Sequence, residues 1–242
     1  RSPMATSVIT RTGRKVAFSD ERIEELRAQF RGRVMQPGDE GYEEARAIHN
    51  ALFDRRPGLV IECSGTADVI DAVNLAREEN LLLAVRGGGH SIAGHSVCDD
   101  GLMLDLSRMR AVWVDPASRT VTAQGGATWG DADREAQAFG LAVPGGVIST
   151  TGVGGLTLGG GLGWLHREHG LACDHLRSVQ VVTADGRLVR AAADEILLDV
   201  EAESLPAEPV DHLAHLGHHL RADAVAGQDE KGVRHGRCPA VP

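Results

Sequence analysis

Apolar positions follow two rhythms along the chain. Ile23, Leu26 and Phe30 recur at helical spacing after Ser19, which can cap a helix. Met35-Gln36-Pro37-Gly38 breaks that segment, and a second short helix is predicted near Tyr42 to Leu52. From Pro57 the rhythm changes to short buried runs. Leu59 to Glu62 reads as a strand, Thr66 can cap a helix with Val69, Ile70, Val73 and Ala76 inward, and Leu82 to Val85 is the next strand. This β-α-β unit delivers the chain into Gly87-Gly88-Gly89-His90.

Further strands are predicted at Leu102 to Asp105, Val112 to Val114 and Thr120 to Ala123, with a turn at Asp115 to Ser118. Thr128 caps a helix over Trp129 to Phe139, Gly140 ends it, and Leu141 to Val143 is extended. Ser178 to Thr183 and Arg187 to Arg190 flank Asp185-Gly186, a strong hairpin signal. Residues 1–19 look like a flexible arm and 20–56 like a helical lead-in. The domain proper is predicted over 57–195. Residues 196–242 lose periodicity apart from a helix suggested at Val210 to Arg221, and their composition suits disorder.

Composition narrows the function classes. The chain is 42% hydrophobic, enough for a sizeable core, and its net charge of −9 repels a phosphate backbone, so no nucleic-acid partner is expected. Apolar runs fall far short of the ~20 residues of a membrane span, and the N-terminus has no signal-like core, so no membrane association and a cytoplasmic location are expected. Cys63, Cys98, Cys173 and Cys238 lack metal or redox spacing and read as free thiols. His212, His215, His218 and His219 have helical spacing, but no metal site is assigned to them.

Two glycine-dense stretches carry the candidate chemistry. In Arg86-Gly87-Gly88-Gly89-His90-Ser91, glycines after a strand let the backbone approach a ligand, and consecutive amides can form an anion-binding concavity. Arg86 could add charge, Ser91 a hydroxyl and His90 a nucleophilic ring nitrogen, while His95 more simply lines the loop. From composition alone a plain glycine turn stands equally open. No helix opens directly after these glycines, which argues against a Rossmann fingerprint and a nicotinamide-dependent enzyme. The second stretch runs from Gly145 to Gly163. Leu156, Leu158, Leu162 and Trp164 interleave with its glycines, which suits a tight surface against a flat ligand better than a flexible linker.

Taken together, ordered strings resemble one family. They are Arg86 to Ser91, Gln124-Gly-Gly-Ala-Thr-Trp-Gly-Asp131, Pro144-Gly-Gly146, Gly152 to Gly163, Gly170-Leu-Ala-Cys-Asp174 and Val181-Val-Thr-Ala-Asp-Gly186. Residues 57–194 resemble the FAD-binding domain of the vanillyl-alcohol oxidase and para-cresol methylhydroxylase (PCMH) type, nearest its berberine-bridge-enzyme-like and 6-hydroxynicotine-oxidase-like branch. The resemblance implies an α+β fold of two subdomains with FAD between them. It implies that residues 86–91 bind the diphosphate and that His90 bonds covalently to the flavin 8α-methyl group. Many relatives carry a second link through a cysteine after a Gly-Val pair. Here Gly146-Val147 is followed by Ile148, so one link is expected.

The same resemblance implies cofactor contact by Arg86, Gly87, Gly88, Gly89, His90, Ser91, Gly145, Gly146, Thr151, Gly152, Gly155, Gly160 and Val181. It implies oxidation of a small-molecule substrate, an alcohol, sugar or amine, with molecular oxygen as acceptor. No catalytic base and no oligomeric state is assigned. After Ala193-Asp194-Glu195 the family's later motifs and its substrate domain do not follow, and a truncated or frame-shifted tail is the expectation. The competing reading is a catalytically inactive fragment that binds FAD weakly or not at all.

Overall fold

The structure, a computed structural model, describes residues 6–192 and the backbone of 217–223 and 225–226. It opens with strands β1 (Thr6–Ile9) and β2 (Lys15–Phe18), helix α1 (Asp20–Gln29), strand β3 (Val34–Met35) and helix α2 (Tyr42–Arg46). Strand β4 (Leu59–Glu62), helix α3 (Thr66–Glu78), and strands β5 (Leu83–Arg86) and β6 (Leu102–Asp105) follow. Next come β7 (Val112–Asp115), β8 (Thr120–Gln124), helix α4 (Trp129–Gln137) and β9 (Leu141–Ala142). Helices α5 (Val153–Leu158) and α6 (His166–His169) precede a 3-10 turn at Ala172–His175 and the strands β10 (Leu176–Val182) and β11 (Leu188–Ala192). Strands β12 (Gly217–Asp223) and β13 (Val225–Ala226) complete the described residues.

The elements build two larger sheets, with two-stranded pairs β1–β2 and β9–β13 beside them, as the α+β expectation required. The first has the order β3-β4-β6-β5, with β4, β6 and β5 parallel. Successive side chains on a strand point to opposite faces, and here both faces are covered. Leu59, Ile61, Leu102 and Leu104 pack with Val69, Ala72, Leu75 and Ala76 of α3. Val60 and Met103 pack with Met35, Tyr42 and Ala45 on the other face. That is why β4, β5 and β6 are each apolar at their first three positions, with a charged residue only at the C-terminal end.

The second sheet is antiparallel, in the order β11-β10-β12-β8-β7. Val121 and Ala123 of β8 face Trp129, Ala132 and Ala136 of α4. Thr128 and Asp131 cap α4 reciprocally, and Arg110 pairs with Asp131 at 2.6 Å. The two halves are joined through β10. Val182 belongs to the first core, and Arg77 of α3 donates to the Asp185 carbonyl at 3.2 Å.

The structure corrects several expectations. The arm over 1–19 contains the hairpin β1–β2, whose Val8 and Phe18 are buried in the first core. Its strands are four residues each and its turn is polar, so periodicity hardly shows. Helix α2 stops at Arg46 rather than near Leu52, because Asn50 turns the chain, accepting from the Leu52 amide and donating to the Ile92 carbonyl. Gly65, not Thr66, occupies the cap position of α3.

In the tail, β12 pairs between β10 and β8, and β13 pairs with β9. Disorder over the whole of 196–242 is therefore wrong for those two segments, and 217–221 is strand rather than the end of a helix. Hydrogen bonding to two neighbours outweighs the segment's weak periodicity. The rest of the tail, including His212 and His215, lies outside the described residues. Among the described residues, no helix is long and apolar enough to cross a membrane.

Candidate functional site

The first glycine loop leaves the C-terminal end of β5, and strand register decides its chemistry. Arg86 lies opposite Asp105 in the β5–β6 ladder and pairs with it at 3.0 Å. Asp105 is almost fully buried and also accepts from the Ser107 amide and hydroxyl. A buried carboxylate is tolerated only when paired and hydrogen-bonded in this way. The guanidinium expected to offer charge to a ligand is thus committed to Asp105. It also lies beneath the loop: a Cβ on Gly89 would sit 3.2 Å from its Nε. Arg86 Nε itself is buried and, among the described residues, has no acceptor.

The loop is pressed against a second one. A Cβ on Gly88 would lie 2.3 Å from the Gly152 amide nitrogen, and one on Gly152 would lie 2.6 Å from that of Gly88. Only two glycines allow the backbones this close. The partner loop is anchored on the start of α4. Trp129 N–H donates to Thr151 O, Gly130 N–H to Ser149 O, and Val153 N–H to Ala127 O. Among the described residues, the amides of Gly88, Gly89 and His90 donate to no protein acceptor. Ser91, by contrast, uses its hydroxyl to accept the His95 amide at 3.0 Å and so closes its own turn.

His90 is half-buried at the seam of the two loops. Its Nε2 lies 3.0 Å from Thr150 Oγ1 and its Nδ1 3.4 Å from Thr151 Oγ1. The ring of His49 stacks on it with centroids 4.2 Å apart and planes 9° from parallel. The His49 amide donates to the Gly89 carbonyl at 2.9 Å, tying the stacking residue to the loop. Burial, with the neighbouring His49 as a second cause, holds the His90 imidazole below the usual histidine range.

The second glycine stretch lines a neighbouring surface. Gly145 and Gly146 lie on the Trp129 indole, and a Cβ on Gly145 would meet that ring at 2.2 Å. Trp129 is buried, and its indole nitrogen is, among the described residues, without a partner. Gly163 lies directly on the Gly145 carbonyl. Between these contacts Val147, Ile148, Leu158, Leu162 and Trp164 turn outward, Trp164 being 79% exposed.

The remaining candidates stand apart from these contacts. Gly155 is exposed on α5, with open space where a side chain would be. Gly160 has Leu171 at 3.8 Å, and Val181 is placed by β10, opposite Val189 and Gly217. The cysteines Cys63 and Cys98 are buried free thiols, and Cys173 sits on the 3-10 turn. Among the described residues, no His, Cys, Asp or Glu cluster could hold a metal. A cavity of about 290 Å³ lies elsewhere, between Arg27, Arg33 and Glu40.

Sequence reasoning overlooked His49, Thr150, Asp105 and Trp129 as parts of the site. Register could have pointed to Asp105, since β5 and β6 end in Arg86 and Asp105. Nothing in spacing links His49 to a loop some forty positions on.

Comparison with known proteins places this geometry. Residues 57–192 match the FAD binding domain family. The FAD-linked oxidoreductase pgmH of Aspergillus terreus is 40% identical over 183 residues, 74% of this chain and 37% of that protein. The (R)-6-hydroxynicotine oxidase of Paenarthrobacter nicotinovorans is 35% identical over 166 residues, 69% of this chain and 36% of that enzyme. Among solved structures, the berberine-bridge-enzyme-like protein 1 of Physcomitrella patens superposes with a TM-score of 0.72 at 25% identity, covering 84% of this chain and 44% of that one. The chain thus spans less than half the length of these relatives. With its two larger sheets, its paired glycine loops and a match over more than half its length, the chain belongs to the FAD-binding domain family of the FAD-linked oxidoreductases, with a PCMH-type fold.

Proposed function

We propose that the chain is the flavin-holding portion of an FAD-linked oxidase, with FAD attached through His90 alone. The observation that carries this reading is the seam itself. One half-buried imidazole stands between two loops that glycines hold in backbone contact, beside amides with no acceptor among the described residues. The residues suit FAD in three respects. The amides of Gly88, Gly89 and His90, unpaired among the described residues, suit a diphosphate. Two buried donors, Arg86 Nε and Trp129 Nε1, border the loops. The apolar surface from Val147 to Trp164 suits a flat ring system.

His90 is suited to attachment because its imidazole is held below the usual histidine range and is therefore neutral at pH 7. Its ring nitrogen would bond to the flavin 8α-carbon. Overall, one hydrogen from that methyl group and one from the imidazole would pass with two electrons to molecular oxygen, giving hydrogen peroxide. Arg86 and Asp105 fix the loop that presents His90, and Thr150 and Thr151 orient the ring. No cysteine neighbours Val147, since Ile148 stands there, half-exposed, so a single link is proposed. Bound FAD would supply acceptance of a hydride from a small alcohol, sugar or amine and its delivery to oxygen.

The test is purification of the chain followed by acid precipitation. A yellow pellet is the expected result. A colourless pellet from a chain supplied with FAD defeats covalent attachment, and a chain that retains no FAD before acid defeats the reading as a whole.

A further inference from the structure

Among the groups around the seam, His49 stands outside the buried cores. It is exposed, on the loop after α2. Yet its ring lies flat on His90, 4.2 Å between centroids and 9° between planes, and its amide is fastened to Gly89, the residue before His90. An imidazole on a glycine loop can swing about χ1 and χ2 unless something holds it. The hydroxyls of Thr150 and Thr151 meet the edge of the His90 ring, and His49 covers one face. Edge and face together leave the ring little freedom.

We infer that His49 is a positioning residue for flavin attachment: it holds the His90 ring, by stacking, in the plane from which its nitrogen meets the flavin. This rests on the reading that His90 carries the FAD. Two consequences distinguish stacking from general support. A flat, uncharged ring at position 49 is sufficient, because the contact is face to face. Removal of the ring also takes away a group that opposes a charge on His90, so the His90 titration moves up toward the ordinary histidine value.

The experiment is a time course of acid-stable flavin formation in the 242-residue chain, refolded or expressed without flavin and then given FAD, for wild type, His49→Ala, His49→Phe and His90→Ala. His49→Ala is expected to attach flavin roughly tenfold or more slowly, the size of effect that loss of a near-attack geometry produces. His49→Phe is expected to stay within about threefold of wild type, since only the stacking face is needed. The His90 titration, followed by NMR in the flavin-free chain, is expected to rise in His49→Ala.

Attachment in His49→Ala at the wild-type rate overturns the inference. Equal slowing in His49→Ala and His49→Phe overturns the stacking argument. Failure of the underlying reading looks different: wild type itself gains no acid-stable flavin, or His90→Ala gains as much. Circular dichroism confirms that each variant is folded, which is expected because position 49 is exposed.

Discussion

Two glycines in the same region, Gly88 and Gly155, have opposite reasons for being there. Gly88 is locked: a single methyl group would strike the backbone of Gly152 at 2.3 Å. Gly155 is open: nothing lies within 4 Å of the position a methyl would take, and it sits inside helix α5. Sequence treats them alike, as members of glycine-rich strings. Structure separates a glycine that lets two loops touch from one that leaves space on a surface. The first kind holds the seam where His90 stands. The second kind matters only where a ligand covers it.

Substitutions break or sharpen this contrast, from large effects to small. Gly88→Ala is expected to push the two loops apart, abolish flavin retention and destabilise the fold by about 3 kcal/mol, as overpacking against backbone does. Thermal unfolding and visible absorbance check both effects, and a Gly88→Ala chain with wild-type colour contradicts the locked seam. Arg86→Met strands the buried Asp105 carboxylate, for a loss of about 3 kcal/mol. Denaturant unfolding measures it, and addition of Asp105→Leu to the same chain is expected to recover much of the loss.

Gly155→Ala has the opposite sign. In a helix with open space, alanine is expected to stabilise by roughly 0.5–1 kcal/mol. The same variant decides whether Gly155 touches flavin. Weakened FAD retention alongside higher stability places a ligand over it, and unchanged retention removes it from the contact set.

The pH dependence of stability supplies the smallest effect. The folded-state His90 titrates below its unfolded value, so the unfolded chain binds more protons in that window. The contribution of His90 is fully present above the ordinary histidine range and is lost as pH falls through that window. In His90→Ala, unfolding midpoints between pH 7 and 5 are expected to fall less steeply than in wild type. A parallel pair of curves contradicts a depressed His90.

The first sheet was legible in the sequence because strands covered on both faces carry unbroken apolar runs, and 59–61 and 102–104 show that directly. The β10–β11 hairpin was legible from Asp185-Gly186, whose glycine adopts a positive φ of 82° at the turn. The β1–β2 hairpin was not, since two four-residue strands are too short to leave a clear periodic signal. Strand β12 was hidden for a different reason. Its place in the sheet comes from two neighbouring backbones rather than from its own side-chain pattern.

In the site, glycines and His90 stood out because their composition is unusual. The partners of His90 did not. His49 and Thr150 are ordinary residues in ordinary surroundings, brought to the seam by helix α2 and by the loop docked on α4. The ion pair of Arg86 was hidden for a related cause. Charge on a loop suggests a ligand until register shows a buried carboxylate beside it.

The central claim is that His90 is the sole tether of the flavin, and peptide mass spectrometry tests it most directly. Trypsin cleavage after Arg86 and Arg108 releases residues 87–108, which contain both His90 and His95. The account predicts a flavin adduct on that peptide, placed on His90 by fragmentation, with no adduct on any other peptide. An adduct on His95, on a cysteine, or on no peptide of a chain whose flavin survives acid would contradict it.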